Sequence, residues 1–95
     1  MVSRRSPDEI ALQLLDCVED KGEASKWDLI KVLGNDTQFR IWVENFFLEE
    51  RVLEERREGR YYFYRKTVRG ELLHRILRNG NMIKIFNRIS GKRLR

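Results

Sequence analysis

Apolar residues recur every three or four positions through the first half of the chain, which is the spacing of one buried face on an α-helix. In the first such segment the apolar stripe consists of Ile10, Ala11, Leu14, Leu15 and Val18. Ser6, Pro7 and Glu9 form a capping-box sequence just before it, and Gly22 is the residue type that ends a helix. We therefore expect a first helix between Ser6 and Gly22 with one face in the core.

Two more helices are predicted by the same signals. Ser25 is a second N-cap, and Gly34 ends the short helix that begins there. A third helix is expected to run from Asp36 to about Glu50. The predicted core face of the second helix consists of Trp27, Ile30 and Leu33. The predicted core face of the third consists of Phe39, Val43, Phe46 and Phe47.

The apolar period then changes in a way that predicts a β-hairpin followed by more helix. Residues 52–57 and 60–65 flank the turn Glu58-Gly59 and are rich in residue types that favour strands. Thr67 is a suitable cap for a fourth helix that ends at Arg78. The apolar residues of this helix are Leu72, Leu73, Ile76 and Leu77. A last short helix is predicted from Met82, Ile83, Ile85, Phe86 and Ile89.

Charge is distributed very unevenly along the 95 residues, although the whole chain carries only +5. Residues 1–55 hold seven basic and thirteen acidic side chains, a net charge of −6, whereas residues 56–95 hold thirteen and two, a net charge of +11. Arginine outnumbers lysine by fourteen to six, and the planar guanidinium suits bidentate contacts to phosphate. The asymmetry predicts a polyanion-binding surface in the second half. The alternative explanation is thermal adaptation, which also enriches surface charge of both signs.

Several functions have little support from the residues present. Cys17 is the only cysteine, so no internal disulfide can form, and its place beside the first apolar stripe favours a buried thiol. His74 is the only histidine, and no cluster at metal-binding spacing accompanies it. No phosphate-cradling glycine loop is present, and no apolar run approaches the roughly 20 residues of a membrane span. We therefore expect no enzyme activity, no cofactor, no metal and no membrane contact, and a cytoplasmic location.

Two short phrases of the chain resemble a known family. Residues 47–54, FLEERVLE, are similar to the passage from the recognition helix to the first wing strand in winged helix-turn-helix proteins. Residues 64–73, YRKTVRGELL, resemble the phrase that leaves the wing in small archaeal regulators. Arg51 departs from the glycine that many relatives have at its position. The resemblance covers residues 6–78 and implies a mostly helical α+β fold with three helices, a β-hairpin wing and C-terminal helices.

The resemblance also implies a duplex DNA-binding protein, either a transcriptional regulator or a nucleoid-associated protein. Helix 36–50 would lie toward the major groove, and the basic wing 56–69 would lie on phosphates or in the minor groove. Glutamine and asparagine can pair with adenine, and arginine can pair with guanine. The predicted DNA-binding residues are Thr37, Gln38, Arg40, Asn45, Arg56, Arg57, Arg60, Arg65, Lys66 and Arg69. Because Glu44, Glu49 and Glu50 make the helix acidic, we expect shallow insertion and binding dominated by the DNA backbone.

Other interpretations of the same residues stay open. The polar helix residues also suit an ordinary solvent-facing surface, and the arginines of the hairpin suit stacking on Tyr61, Tyr62 and Tyr64. Those tyrosines would alternatively stack on unpaired RNA bases. A protein-interaction winged helix without DNA binding would instead dock partners on its acidic helix and its basic wing.

The predicted organisation has a basic extension at residues 1–5, the winged-helix domain at residues 6–78, and a C-terminal helix with a basic tail at residues 79–95. The last segment is more apolar than a small domain can bury, so it is the predicted site of homodimerisation. The predicted dimer residues are Met82, Ile83, Ile85, Phe86 and Ile89. The alternative is that this helix folds back on its own domain.

Overall fold

Helical segments precede and follow a β-hairpin in residues 5–79, the part of the chain that the computed structural model describes. The elements in chain order are α1 (Pro7–Lys21), β1 (Ala24–Ser25), α2 (Lys26–Leu33), α3 (Asp36–Phe39) continued by a π-helix (Arg40–Phe47), β2 (Leu53–Glu58), β3 (Tyr61–Lys66) and α4 (Val68–Arg78). The strands form an antiparallel sheet in the order β1-β3-β2. The fold is therefore a mostly helical α+β fold that contains a β-hairpin.

Side-chain caps begin the first two helices at the predicted residues. The Ser6 hydroxyl accepts a hydrogen bond from the backbone of Glu9 at 3.2 Å, and the Glu9 carboxylate accepts one from the backbone of Ser6 at 2.8 Å. Ser25 and Asp28 form the same reciprocal pair at the start of α2. Each cap satisfies two backbone groups that a helix end otherwise leaves unpaired. The predicted starts of both helices are confirmed, as is the end of α2 at Gly34.

The third helix differs from the prediction in its winding and in its end. The Leu48 backbone N–H donates to the Val43 carbonyl, five residues back, at 2.8 Å. This bonding widens the helix beyond the 3.6 residues per turn of an α-helix, so a residue seven positions later no longer returns to the same face. Phe46, predicted in the core, is therefore 41% exposed. The helix also ends at Phe47 and not near Glu50, although Glu50 N–H still donates to the Phe46 carbonyl, and the left-handed φ of 59° at Arg51 prevents any continuation.

The strands of the hairpin lie one residue later than predicted, and a short strand was missed. Leu53 pairs with Lys66 and Glu58 pairs with Tyr61, so the turn is Gly59-Arg60. Gly59 has a φ of 62°, and tight hairpin turns require such a left-handed residue. The strand that the sequence did not predict is β1, which pairs with β3 over two residues and is too short to show an alternating pattern.

The core lies between α1, α2, the third helix and the sheet. Its fully buried large side chains are Leu14, Leu15, Val18, Leu29, Phe39, Val43, Phe47, Leu53 and Tyr64, together with His74. The predicted face of α1 is confirmed, but Trp27, Leu72 and Ile76 are exposed against expectation. On α2 and α4 the buried residues are offset from the predicted set, because each helix is rotated so that another set at three- and four-residue spacing meets the core.

Thr67 and Gly70 connect the last helix to the two residues that precede β2. Thr67 caps α4 by accepting from the Gly70 backbone at 3.0 Å, and its own N–H donates to the Val52 carbonyl at 3.1 Å. The Thr67 hydroxyl also donates to the carbonyl of Arg51, a residue with a left-handed φ of 59°. Arg51 thus adopts the strained conformation that glycine would adopt freely.

No helix among residues 5–79 combines the length and the apolar character that a membrane crossing requires. The predicted dimer residues lie outside the described residues, and so do residues 1–4 of the predicted N-terminal extension. These dimer residues are Met82, Ile83, Ile85, Phe86 and Ile89.

Candidate nucleic-acid interface

Strand alternation divides the basic residues of the hairpin between two faces. Leu53 and Tyr64 are buried, and they place Arg57 and Lys66 on the face of the sheet that meets the helices. The opposite face carries the alternate positions of both strands. These are Glu54, Arg56 and Glu58 on β2, and Tyr61, Phe63 and Arg65 on β3.

The arginines on the outer face are bound to carboxylates. Arg56 makes two hydrogen bonds to Glu23, at 2.7 and 2.8 Å, and a third to Glu58 at 2.7 Å. Its guanidinium also lies 4.8 Å from the centroid of the Phe63 ring. The hydrogen bonds from Arg56 lower the pKa of Glu23 below its usual value and raise the pKa of Arg56 above its own. The charge of Arg56 is therefore largely compensated within the chain.

Arg65 and Arg69 have acidic neighbours as well. Arg65 lies 2.7 Å from Glu54, the residue directly opposite it on the neighbouring strand of the hairpin. Arg69, on α4, lies 3.5 Å from Glu50, which follows the π-helix. Both pairs are exposed, so each contributes little to stability, but in each the carboxylate offsets the positive charge of the arginine.

Lys66 lies in a compact polar cluster, which we call the Lys66 cluster and which consists of Lys66, Glu19, Glu71, His74 and Asp16. The ammonium group is 2.5 Å from a Glu19 oxygen, 3.1 Å from a Glu71 oxygen and 2.9 Å from His74 Nδ1. The Lys66 side chain is only 10% exposed. Its hydrogen bond to Glu19 is the main reason that the pKa of Glu19 is lowered.

His74 is fully buried in this cluster, and its partners determine its tautomer. An ammonium group can only donate, so His74 Nδ1 accepts from Lys66, and Nε2 carries the proton and donates to Asp16 Oδ1 at 2.7 Å. Ligand atoms of Glu19, Glu71 and His74 all lie within 4.8 Å of one another, close enough to share a cation. The Lys66 ammonium supplies positive charge there, and so does the Arg78 guanidinium, which lies 3.2 Å from a Glu19 oxygen and 3.6 Å from a Glu71 oxygen.

Sequence reasoning treated His74 as an isolated residue and Lys66 as a DNA contact. The packing of α4 against α1 brings the ring of His74 to Asp16, a residue 58 positions earlier in the chain. One signal for this face was available, because four residues recur at three- and four-residue spacing, two of them from the predicted apolar set and two, a glycine and a histidine, outside it. These residues are Gly70, Leu73, His74 and Leu77.

Three cations next to the hairpin turn have no carboxylate partner among residues 5–79. They are Lys26, at the start of α2, together with Arg57 and Arg60, and we call them the turn cluster. The Arg57 guanidinium lies 5.4 Å from the centroid of the Tyr62 ring, and Lys26 Nζ lies 5.8 Å from the same ring. Arg57 also donates to the Gly59 carbonyl at 3.0 Å. The hairpin turn therefore has three neighbouring cations whose charge no carboxylate among residues 5–79 offsets.

Only some of the residues predicted to contact DNA bases lie together on the exposed surface of the third helix. Its buried residues follow at four-residue intervals, and so do Thr37, Ile41 and Asn45, all of which are exposed. Arg40 is also exposed, and the exposed Glu44 lies four residues after it. The remaining predicted residue is Gln38, which is half-buried and whose backbone N–H is bound by Asn35 at 2.8 Å. The exposed surface thus offers Thr37, Arg40 and Asn45, interrupted by an acid and an apolar side chain.

The three tyrosines of β3 have different surroundings, which changes the stacking hypothesis. Tyr64 is buried against Phe39 and donates to Glu55 at 2.8 Å, and burial is the main reason that its pKa is raised. Tyr62 is half-buried beneath Arg57 and Lys26. Only Tyr61 presents most of its ring to solvent.

Comparison of the chain with models of known protein families finds no match, and no curated protein matches it significantly.

Proposed function

We propose that this chain is a winged helix-turn-helix protein that binds duplex DNA through its hairpin. The order helix, strand, two helices, hairpin and helix, with the first strand paired to the second strand of the hairpin, supports this assignment. In this fold the hairpin is the wing and the helix before it is the recognition helix. The protein acts as a transcriptional regulator or as a nucleoid-associated protein, and it needs no cofactor.

The observation that carries the proposal is the uncompensated charge of the turn cluster. Most other cations of the hairpin region are neutralised by carboxylates, whereas Lys26, Arg57 and Arg60 are free to bind phosphates. Cations at a wing tip hold the DNA backbone or enter the minor groove, and such contacts supply affinity without reading sequence. The phosphate-binding set is therefore smaller than the sequence alone predicted.

Contacts from the recognition helix are expected to be few. Thr37, Arg40 and Asn45 face solvent and are the residues proposed to approach the major groove. Glu44 lies one turn beyond Arg40 and is repelled by phosphates. We therefore propose binding that depends mainly on the backbone and has weak sequence preference.

We also propose that the DNA-bound form is a homodimer. On α4, Val68, Leu72 and Ile76 form an exposed apolar stripe at four-residue intervals. The predicted apolar segment that begins at Met82 follows this helix in the sequence. A symmetric pair of such helices would place two recognition helices on half-sites about 34 Å apart.

A protein-interaction module is the second candidate. The observation that favours it is the extensive ion pairing of Arg56, Arg65 and Arg69, which reduces the positive charge available to a polyanion. On that hypothesis the free cations of the turn cluster bind an acidic protein partner. Absence of duplex DNA binding at low salt, together with a stable complex with an acidic protein, would establish it.

Salt-dependent binding to a random-sequence duplex tests the leading proposal. We expect affinity to fall steeply with salt, and the Arg57→Ala/Arg60→Ala variant to bind about tenfold more weakly, with the slope of log affinity against log salt reduced by about 2. Arg65→Ala is the matched control, because that arginine lies on the same hairpin but is paired with Glu54. Equal losses in both variants, or none in either, would contradict the role of the turn cluster.

A further inference from the structure

A groove lies between the start of α2 and the hairpin, and it is lined mainly by Trp27, Ile30, Tyr61 and Tyr62 with Lys26 and Arg60. Its volume is about 450 Å³. That volume falls within the range of roughly 300–1,000 Å³ that is usual for sites that bind small organic groups. No residue of the third helix lines the groove, and its lining includes Lys26 and Arg60 of the turn cluster.

Two large flat side chains of the groove are exposed to an unusual degree. Trp27 is 64% exposed and Tyr61 is 65% exposed. Neither ring makes a ring–ring contact, and neither side chain makes a hydrogen bond or an ion pair, among residues 5–79. Rings of this kind bind other planar groups by stacking, and the stacking tolerates different bases because every base has a π-face.

The charge of the groove restricts its occupant. Lys26 and Arg60 contribute two cations with no carboxylate partner among residues 5–79, whereas the nearby carboxylate of Asp28 is held by the Ser25 backbone and by Lys21. A neutral proline-rich peptide would use the aromatic rings but not the two cations. A planar group attached to an anion uses both.

We propose that this groove binds one unpaired nucleobase, stacked on Trp27 and Tyr61, with its phosphate on Lys26 and Arg60. The inference extends the proposed binding of duplex DNA by the hairpin, on which its placement beside a duplex rests. The protein therefore binds a duplex that carries a single-stranded extension more tightly than a blunt duplex. The shared chemistry is a nucleotide, from either a DNA or an RNA strand.

The test compares one duplex in three forms, by fluorescence anisotropy at low salt: blunt, with an eight-thymidine extension, and with an eight-residue abasic extension. We expect the thymidine extension to increase affinity roughly 5- to 100-fold, and the abasic extension to increase it much less. Trp27→Ala and Tyr61→Ala should remove the gain without changing binding of the blunt duplex. Trp27→Phe and Tyr61→Phe keep a ring at each position and should retain most of it.

A second measurement does not depend on the duplex. Free eight-residue oligothymidylate should quench the tryptophan fluorescence of the protein, and Trp27→Phe should abolish the quenching while Trp42 still emits. The same measurement with oligouridylate distinguishes a DNA strand from an RNA strand. Equal quenching by the two oligonucleotides means that the groove accepts either, and quenching by only one identifies the strand that it binds. Equal gains from abasic and thymidine extensions, or displacement of the oligonucleotide by a proline-rich peptide, would overturn the proposal. Loss of blunt-duplex binding alone would contradict the proposed function but not the groove.

Discussion

Gly70 lies against the backbone of Val52 so closely that a Cβ atom built on the glycine would be 2.0 Å from the Val52 carbonyl oxygen. The same carbonyl accepts the N–H of Thr67, so the cap of α4 and the close approach of its first turn both involve Val52, the residue immediately before β2. Glycine is unfavourable inside a helix, but here it is the only residue that fits. This contact explains why threonine and glycine stand three residues apart in the phrase that follows the hairpin.

Substitution of Gly70 by alanine is therefore expected to destabilise the fold. The added methyl group meets backbone atoms that cannot rotate away, so we expect the free energy of unfolding to fall by about 3 kcal/mol in urea denaturation. Arg75→Ala, which shortens an exposed side chain of the same helix that has no ion pair among residues 5–79, should change it by no more than about 0.5 kcal/mol. Similar values for the two variants would show that α4 does not dock through Gly70.

Arg51 is a second position where a backbone conformation favours glycine. Its φ of 59° is left-handed, which costs an ordinary residue about 1–2 kcal/mol. After the extra entropy of glycine in the unfolded chain, we expect Arg51→Gly to raise the free energy of unfolding by about 0.5–1 kcal/mol. The matched control is Arg40→Gly, because Arg40 has a helical φ of −61°, and this change should lower stability by about 1 kcal/mol.

The sequence was sufficient where the determinants are local. The caps at Ser6 and Ser25 and the stops at Gly22 and Gly34 each depend on residues within one helical turn. The hairpin was also predicted, with an error of one residue, because residue types that favour strands fill two six-residue segments on either side of a glycine-containing turn. Such signals do not require knowledge of which elements pack together.

The rest could not be predicted because it depends on contacts between distant segments. The exposure of Phe46 follows from π-helical winding, which an apolar pattern of period 3.6 does not reveal. The sequence also could not predict which basic residues pair with carboxylates, since Arg56 binds Glu23, a residue 33 positions away in the chain. The sequence therefore identified the basic residues of the hairpin, but only the structure separates those paired with carboxylates from those without such a partner.

Glu19 gives the fold a dependence on acid pH. Its pKa is lowered in the folded state, chiefly by the hydrogen bond from Lys66, so its stabilising effect is present above its usual pKa of 4.5 and is lost as the pH falls through the folded value. Glu19→Gln should therefore be less stable than the natural protein near neutral pH, and the difference should shrink on acidification. Urea midpoints at several pH values measure this. Glu49→Gln, which alters an exposed carboxylate without an ion pair among residues 5–79, should show no such convergence.

Lys66 and Arg57 lie on the same face of the hairpin and are predicted to behave in opposite ways. Lys66→Met leaves His74 Nδ1 without its donor and leaves Arg78 as the remaining cation beside Glu19 and Glu71, so we expect a loss of about 2–3 kcal/mol in the free energy of unfolding. Its affinity for duplex DNA, corrected for the folded fraction, should change little. Arg57→Met should leave stability within about 0.5 kcal/mol, because its side chain is exposed, but should weaken binding by roughly threefold or more. If Lys66→Met instead weakened binding at unchanged stability, the ammonium would be a phosphate ligand, and the Lys66 cluster would not be the structural element argued for above.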